Sequence, residues 1–244
     1  MIPAFAVGRT QEVLNYIRII KEKNLVTGHG VFPVYLDSPM AVEATGVFKD
    51  NMMDCYNEET KELVKKGHQS DFFPGSASLD HQQRFRCNQL QRGTEKVIIS
   101  AAGMCDAGRI RHHLKHNLWR PECTILFAGY QAVGTLGRSI TEGREEVKLF
   151  GESIEVKARI EKIEGISGHA DETGLLEWVG SFMEKPSQVF VVHGDDTVCD
   201  AFAETVKETY GINAMALVLR QFLRPGRGML RRLLRRVFRS RNRQ

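Results

Sequence analysis

Between residues 10 and 23 the apolar side chains Val13, Leu14, Ile17 and Ile20 recur at helical spacing, which predicts an amphipathic helix with one face against a sheet. Residues 31–36 form a short apolar run that predicts a buried strand. Ser38 then reads as a helix N-cap, with Pro39 at the first helical position. Residues 50–67 are charged and helical in pattern, residues 71–78 are rich in turn formers, and residues 96–100 (KVIIS) suit a central parallel strand. The stretch SAAGMCDAGRIRHHLKHNL repeats the order of strand, glycine loop and helix, and residues 124–130 predict a further buried strand. Strands alternating with helices imply right-handed crossovers in a largely parallel α/β sheet, whose ligands gather at the carboxyl ends of strands. The loops after Leu36, Ser100 and Phe127 are therefore candidate site elements.

The pattern changes near Val147. Ile154, Val156, Ala158, Ile160 and, after a twist, Ile163 alternate on one face, which predicts a half-exposed strand or hairpin and the start of a second lobe. A loop with an amphipathic helix follows in GISGHADETGLLEWVGSFM. QVFVVHGDD predicts a strand ending in a histidine loop, and the next helix is closed by Gly211 at its C′ position.

The length of 244 residues suits one large α/β unit or two interlocked lobes, and 42% hydrophobic with 26% charged residues excludes a disordered or fibrous chain. No apolar run is long enough for a membrane span and no signal-peptide pattern opens the chain, so the expected location is the cytoplasm. Cys55, Cys87, Cys105, Cys123 and Cys199 form no CxxC pair and read as reduced packing residues. The net charge of +4 hides an asymmetry: ten of the 34 basic residues and no acid lie in residues 220–244, leaving 24 basic against 30 acidic residues elsewhere. That polarity describes an acidic body with a basic arm. Within the arm, Leu230, Leu233, Leu234, Val237 and Phe238 take helical spacing opposite the arginines, which suits RNA, an anionic membrane or the body itself.

Two histidines stand out for chemistry. His193 follows an apolar strand and precedes Gly194-Asp195-Asp196, a setting for a metal ligand or an acid/base, or simply a loop residue. His169 lies in SGHAD ahead of a helix, where Asp171 either caps the helix or orients the imidazole. His112 and His116 stand at i, i+4 and could share a divalent ion, but the sequence offers neither the glutamate of HExxH nor an obvious third ligand, so a solvated or phosphate-facing helix is the expected reading. Ser100, Gly103 and Gly108 make a strand-to-helix loop whose amides could hold a phosphate. With Arg9, Ser38 and Arg109 they complete a candidate RNA- or phosphate-binding set.

IPAFAVGRTQE, VYLDSPMA, VIISAAGMCDAGRIRHHL, ILFAGYQAVGTLGR, VKARIEKIEGISGHAD and FVVHGDD, in this order, resemble the metallo-β-lactamase-fold β-CASP nucleases that process RNA. The resemblance implies an α/β protein: a β-CASP cap with a largely parallel sheet at residues 1–141, the C-terminal part of the lactamase αββα fold at 142–216, and an Arg-rich tail at 217–244. It implies that His169 acts as a catalytic group at the leaving oxygen and that His193 is a ligand to one of two zinc ions, with Asp171 and Asp195 as orienting partners. The family's HxHxDH signature does not occur in this sequence. The chain is thus expected to be a C-terminal portion, inactive alone, whose partners are RNA, a separate polypeptide carrying the HxHxDH half, and a second copy in a homo-oligomer. A catalytically silent RNA-binding or scaffold subunit and a non-nucleolytic lactamase-fold hydrolase are the alternatives.

The arm generates a direct prediction. Removing residues 217–244 should lower the steepness with which RNA binding falls with salt, by about 0.7 per phosphate neutralised on single strands and about 0.9 on duplex. Filter binding across a salt series checks it, and an unchanged slope would show that the arm stays off nucleic acid.

Overall fold

The computed structural model describes residues 1–28, 32–65, 95–166 and 168–217. The expected turn at His29-Gly30, the loop at 71–78 and the basic arm lie outside the described residues, as does the end of the helical stretch 50–67. The chain divides into two compact units, Met1–Ser167 and Gly168–Gln244.

In the first unit, strands β1 (Ile2–Pro3), β2 (Val34–Leu36) and β3 (Val97–Ser100) form a parallel sheet in the order β1-β3-β2. Strands β4 (Thr124–Phe127) and β7 (Arg159–Lys162) form a parallel pair, Ile125 opposite Ile160. Met1 joins the two sets: its nitrogen donates to Thr124 O (2.6 Å) and its carbonyl accepts from Leu126 N (2.8 Å). Bonds to both neighbours of Ile125 are the pattern of a parallel ladder, so the strands run β2-β3-β1-β4-β7 as one parallel sheet. An antiparallel hairpin, β5 (Glu146–Leu149) and β6 (Glu152–Glu155), precedes β7. The alternating stretch from Ser153 therefore supplies both a hairpin arm and a parallel edge strand, because the main-chain groups beside β4 were still unpaired and a strand in register satisfies them.

Helices cover this sheet where the sequence places their apolar stripes. Helix α1 (Arg9–Glu22) buries Val13, Leu14 and Ile17 against Ile2, Val34, Leu36 and Ile99. Helix α2 (Pro39–Asp50) starts at Ser38, whose side chain accepts from Ala41 N (3.3 Å), and two short helices follow, α3 (Met52–Cys55) and α4 (Glu58–Leu63). Helix α5 (Ile110–Asn117) buries Ile110 and Leu114 in a second cluster with Ile125, Phe127, Ile140, Val147 and Leu149, which also receives α6 (Leu136–Thr141). Cys105 and Cys199 are buried and Cys123 half-buried, in keeping with packing roles, whereas Cys55 is exposed at the end of a short helix and does not pack as expected; all four are free thiols, and Cys87 lies outside the described residues. Burial, followed by the Asp106 charge, pushes the Cys105 thiol up to about 12, which keeps it protonated as a packing residue.

In the second unit, α7 (Glu172–Gly180) and α8 (Asp196–Tyr210) pack Val179, Ala203 and Val206 with Ala214 of a parallel pair, β8 (Val189–Val191) and β9 (Ala214–Ala216). Gly211 closes α8 in the left-handed conformation, φ 66°.

Gly108 shows why the loop between β3 and α5 needs glycine. Its φ is +77°, and a Cβ there would stand 2.3 Å from Ala101 O. Gly108→Ala should cost about 2 kcal/mol or more. Gly46, inside α2 with nothing within 4 Å of its would-be Cβ, should gain about 0.5–1 kcal/mol on substitution by alanine. Urea unfolding of the two variants checks the contrast, and equal effects would refute it.

Candidate functional site

The carboxyl ends of the first unit's strands converge on one buried charge. Asp37, one residue beyond β2, is fully buried. Its Oδ1 accepts from Arg109 Nη1 (2.9 Å) and its Oδ2 lies 2.8 Å from Nε2 of His113, also fully buried. The Asp37 carbonyl accepts from the Ser100 hydroxyl (2.8 Å), and its N–H donates to Ile99 O (2.9 Å). A carboxylate removed from water is tolerated only with partners of this kind. The three candidate residues Ser38, Ser100 and Arg109 are thus brought together around Asp37. Ser38 acts as the N-cap, Ser100 is enclosed, and Arg109 leaves about a third of its side chain (34%) in solvent.

Gly103 is also buried. Its carbonyl accepts from Gln131 Nε2 (3.1 Å), and the Phe5 ring lies so close that a Cβ on Gly103 would stand 3.2 Å from it. Gln131 Nε2 donates further to Gly129 O and Tyr130 O, tying the loop after β4 to the loop after β3. Arg9 stands apart from this cluster and pairs with Glu12 one turn along α1.

The histidine pair at i, i+4 takes a surface role. His112 stacks on Phe150 with ring centroids 4.6 Å apart. His116 is held below the ordinary imidazole range by partial burial, then by the Lys115 charge and its neighbouring histidines. Helical phase carried the signal for the buried partner: Ile110, His113, Leu114, Asn117 and Leu118 share the inward face, so His113 rather than His112 or His116 points into the protein. Asp37 offered only its place at a strand end.

In the second unit His169 and His193 come together, ring centroids 6.1 Å apart and tilted by 39°. His193 follows β8 in the left-handed region, φ 68°, a conformation that costs a non-glycine residue about 1 kcal/mol or more and turns its side chain out of the strand direction. A Cβ on the neighbouring Gly194 would stand 2.9 Å from Cys199 Sγ, so a larger residue there would oblige that side chain to shift. Asp171 caps α7, its Oδ1 accepting from Gly174 N (2.8 Å). Asp195 is the N-cap of α8, with its carbonyl accepting from Val198 and Cys199.

The family models for the Beta-Casp domain and for the Zn-dependent metallo-hydrolase RNA specificity domain match residues 10–140 and 153–217, in that order. The chain belongs to the β-CASP family of metallo-β-lactamase-fold RNA nucleases. It is 32% identical to the Transcription termination factor FttA of Methanosarcina mazei over 225 residues, which cover 89% of this chain and 34% of that protein. To the Ribonuclease TTHA0252 of Thermus thermophilus it is 32% identical over 197 residues, covering 80% of this chain and 43% of the other. An RNase J-like protein of Methanocaldococcus jannaschii is 31% identical over 216 residues, covering 87% and 47%. The chain therefore spans less than half the length of these β-CASP relatives. Its α/β architecture with parallel strands is the one the family has, and no helix of the described residues is long and apolar enough to cross a membrane.

Zinc belongs to the description of the RNA specificity domain. Among the described residues no three His, Cys, Asp or Glu side chains converge on a point that could hold a metal ion. The His169–His193 pair alone does not fit a catalytic zinc, which needs at least three protein ligands.

Asp37→Asn keeps the shape of the buried cluster but removes its negative charge, and should destabilise the protein by about 3 kcal/mol or more. Arg109→Ala should cost less, because water replaces part of what the guanidinium loses. Urea unfolding decides: an Asp37→Asn variant as stable as the parent would mean that the cluster holds nothing together.

Proposed function

We propose that this chain supplies the RNA-facing parts of a zinc-dependent phosphodiesterase that acts on RNA in the cytoplasm. Residues 1–141 would form the β-CASP cap, 142–216 the returning lactamase part, and 217–244 an appended basic arm. The observation that carries this reading is the meeting of His169 and His193 in one compact unit, 6.1 Å between ring centroids, in a chain that matches both family models in tandem. An imidazole at His169, ahead of the capped α7, suits the transfer of a proton to a leaving oxygen. His193, turned out of its strand by a left-handed backbone, suits the donation of one nitrogen to a metal. The other ligands have to come from residues beyond those described here, on a polypeptide carrying HxHxDH.

The 244-residue chain should retain no stoichiometric zinc after mild chelation and cleave no labelled RNA oligonucleotide, and adding an HxHxDH polypeptide that assembles with it should restore both. In that assembly His169→Ala should lower turnover by about 10²–10⁴-fold with zinc content intact, whereas His193→Ala should lose metal. Elemental analysis beside the cleavage assay reads the result. Zinc lost from His169→Ala would exchange the roles of the two histidines, and assembly without cleavage would favour a silent RNA-binding subunit.

A further inference from the structure

Helix α7 presents apolar groups that the described residues leave uncovered. Its Leu176 and Val179 pack inward with Ala203, Val206 and Ala214. Leu175 and Trp178, three residues apart and so neighbours on another side of the helix, are 40% and 62% exposed. Trp178 meets the Phe182 ring edge to face, centroids 5.0 Å apart, and Phe182 is 44% exposed with Met183 wholly in solvent beside it. Single apolar residues are ordinary on a surface, but a contiguous row of large ones marks a place where something docks.

The unit that carries this row is strongly acidic. Residues 168–217 hold nine Asp and Glu against two Lys, a net of −7. Both lysines are engaged within the unit, Lys185 with the Tyr210 carbonyl (2.8 Å) and Lys207 with Glu204 (2.6 Å). Glu177 and Glu184, beside Trp178 and Met183 in the chain, are exposed, and no ion pair among the described residues engages them. A partner for this face therefore needs an apolar stripe edged with positive charge.

The chain supplies such a segment itself. Strand β9 ends at Ala216 and the Leu217 N–H donates to Val191 O (3.0 Å), so the residues that follow depart from this same unit. Residues 218–228 can span up to about 36 Å when extended, against a radius of gyration of about 10 Å for a unit of about fifty residues, so length bars no face of it. Next comes the stripe Leu230, Leu233, Leu234, Val237 and Phe238 at helical spacing, with arginines at 231, 232, 235, 236 and 239 and no acid.

We infer that the basic arm folds back on its own unit, its apolar stripe docking on Leu175, Trp178, Phe182 and Met183 while arginines at the stripe's edges meet Glu177 and Glu184. The contact removes two apolar surfaces from water together, and the aliphatic stems of the arginines extend it. Arginines on the far side of the arm stay in solvent, where they replace an acidic outer face with a basic one that a polyanion can approach. The inference involves neither zinc nor catalysis.

The test uses the full chain with Trp119→Phe, which leaves Trp178 as its one tryptophan. Acrylamide should quench Trp178 poorly. Leu233→Asp together with Leu234→Asp should raise the quenching by roughly two- to fivefold, since a docked ring meets the quencher only while the arm is away. Glu177→Lys together with Glu184→Lys should raise it at low salt and less at high salt. Shielding should survive about a hundredfold dilution, whereas shielding lost on dilution would put the arm on a second copy and overturn docking within one chain. A benzophenone photo-cross-linker at Phe182 answers independently of how the charged variants fold: mass spectrometry should find it joined to residues 229–239 of the same chain. A cross-link to any other segment, or a Trp178 quenched as freely in the parent as in the leucine variant, would overturn the inference.

Discussion

The Asp37 carboxylate, enclosed at the end of a parallel strand, is the constraint on which the first unit's site depends. A carboxylate cut off from water must find compensating charge or donors close by. Asp37 finds them in Arg109 and His113, at the start and in the middle of α5, on a segment 72 and 76 residues away along the chain. Meeting that demand fixes where α5 begins relative to β2. It thereby fixes the shape of the glycine loop between β3 and α5, whose turn at Gly108 brings the backbone against Ala101 O. Ser100 adds the remaining tie through the Asp37 carbonyl.

From that loop the order passes outward through single polar contacts. Gly103 is pinned by the Gln131 amide, and Gln131 in turn holds the loop after β4. A similar device on the other side, Thr10 and Gln11 reaching back to the Phe5 and Ala6 carbonyls, holds the loop after β1. Side-chain amides and hydroxyls do here what strand ladders cannot, because each loop leaves its sheet and would otherwise keep unpaired carbonyls at a half-buried surface. The result is a rim at the carboxyl ends of the strands whose carbonyls are satisfied by side chains.

The second unit reaches its geometry differently. Its two imidazoles meet because one strand ends in a left-handed residue and one helix begins at a capping aspartate. His193 holds a backbone conformation that most side chains avoid, and the buried Cys199 sulfur approaches the glycine after it. Strain of this sort persists where surrounding structure over-determines it, and it clusters at functional sites. In a β-CASP chain that spans less than half the length of its relatives, the described residues bring this one histidine pair together.

The elements were legible in the sequence because each rests on a local rule. Apolar spacing marked α1, Ser38-Pro39 the start of α2, the run KVIIS a central strand, and Gly211 the end of α8, and all of these depend on neighbours a few residues apart. The ordered family motifs singled out His169 and His193, whose rings stand 6.1 Å apart. What the sequence could not decide was long-range pairing. Nothing in the alternating stretch from Ser153 said that Arg159–Lys162 would lie parallel to Thr124–Phe127, since an edge strand and a hairpin arm share the same two-residue period. Nor did the loops say that Ser100 would be sealed against Asp37, or that His113 rather than His112 would complete the charge cluster. Those outcomes follow from which charges and carbonyls the packed sheet removes from water, a quantity that exists only once distant segments have met.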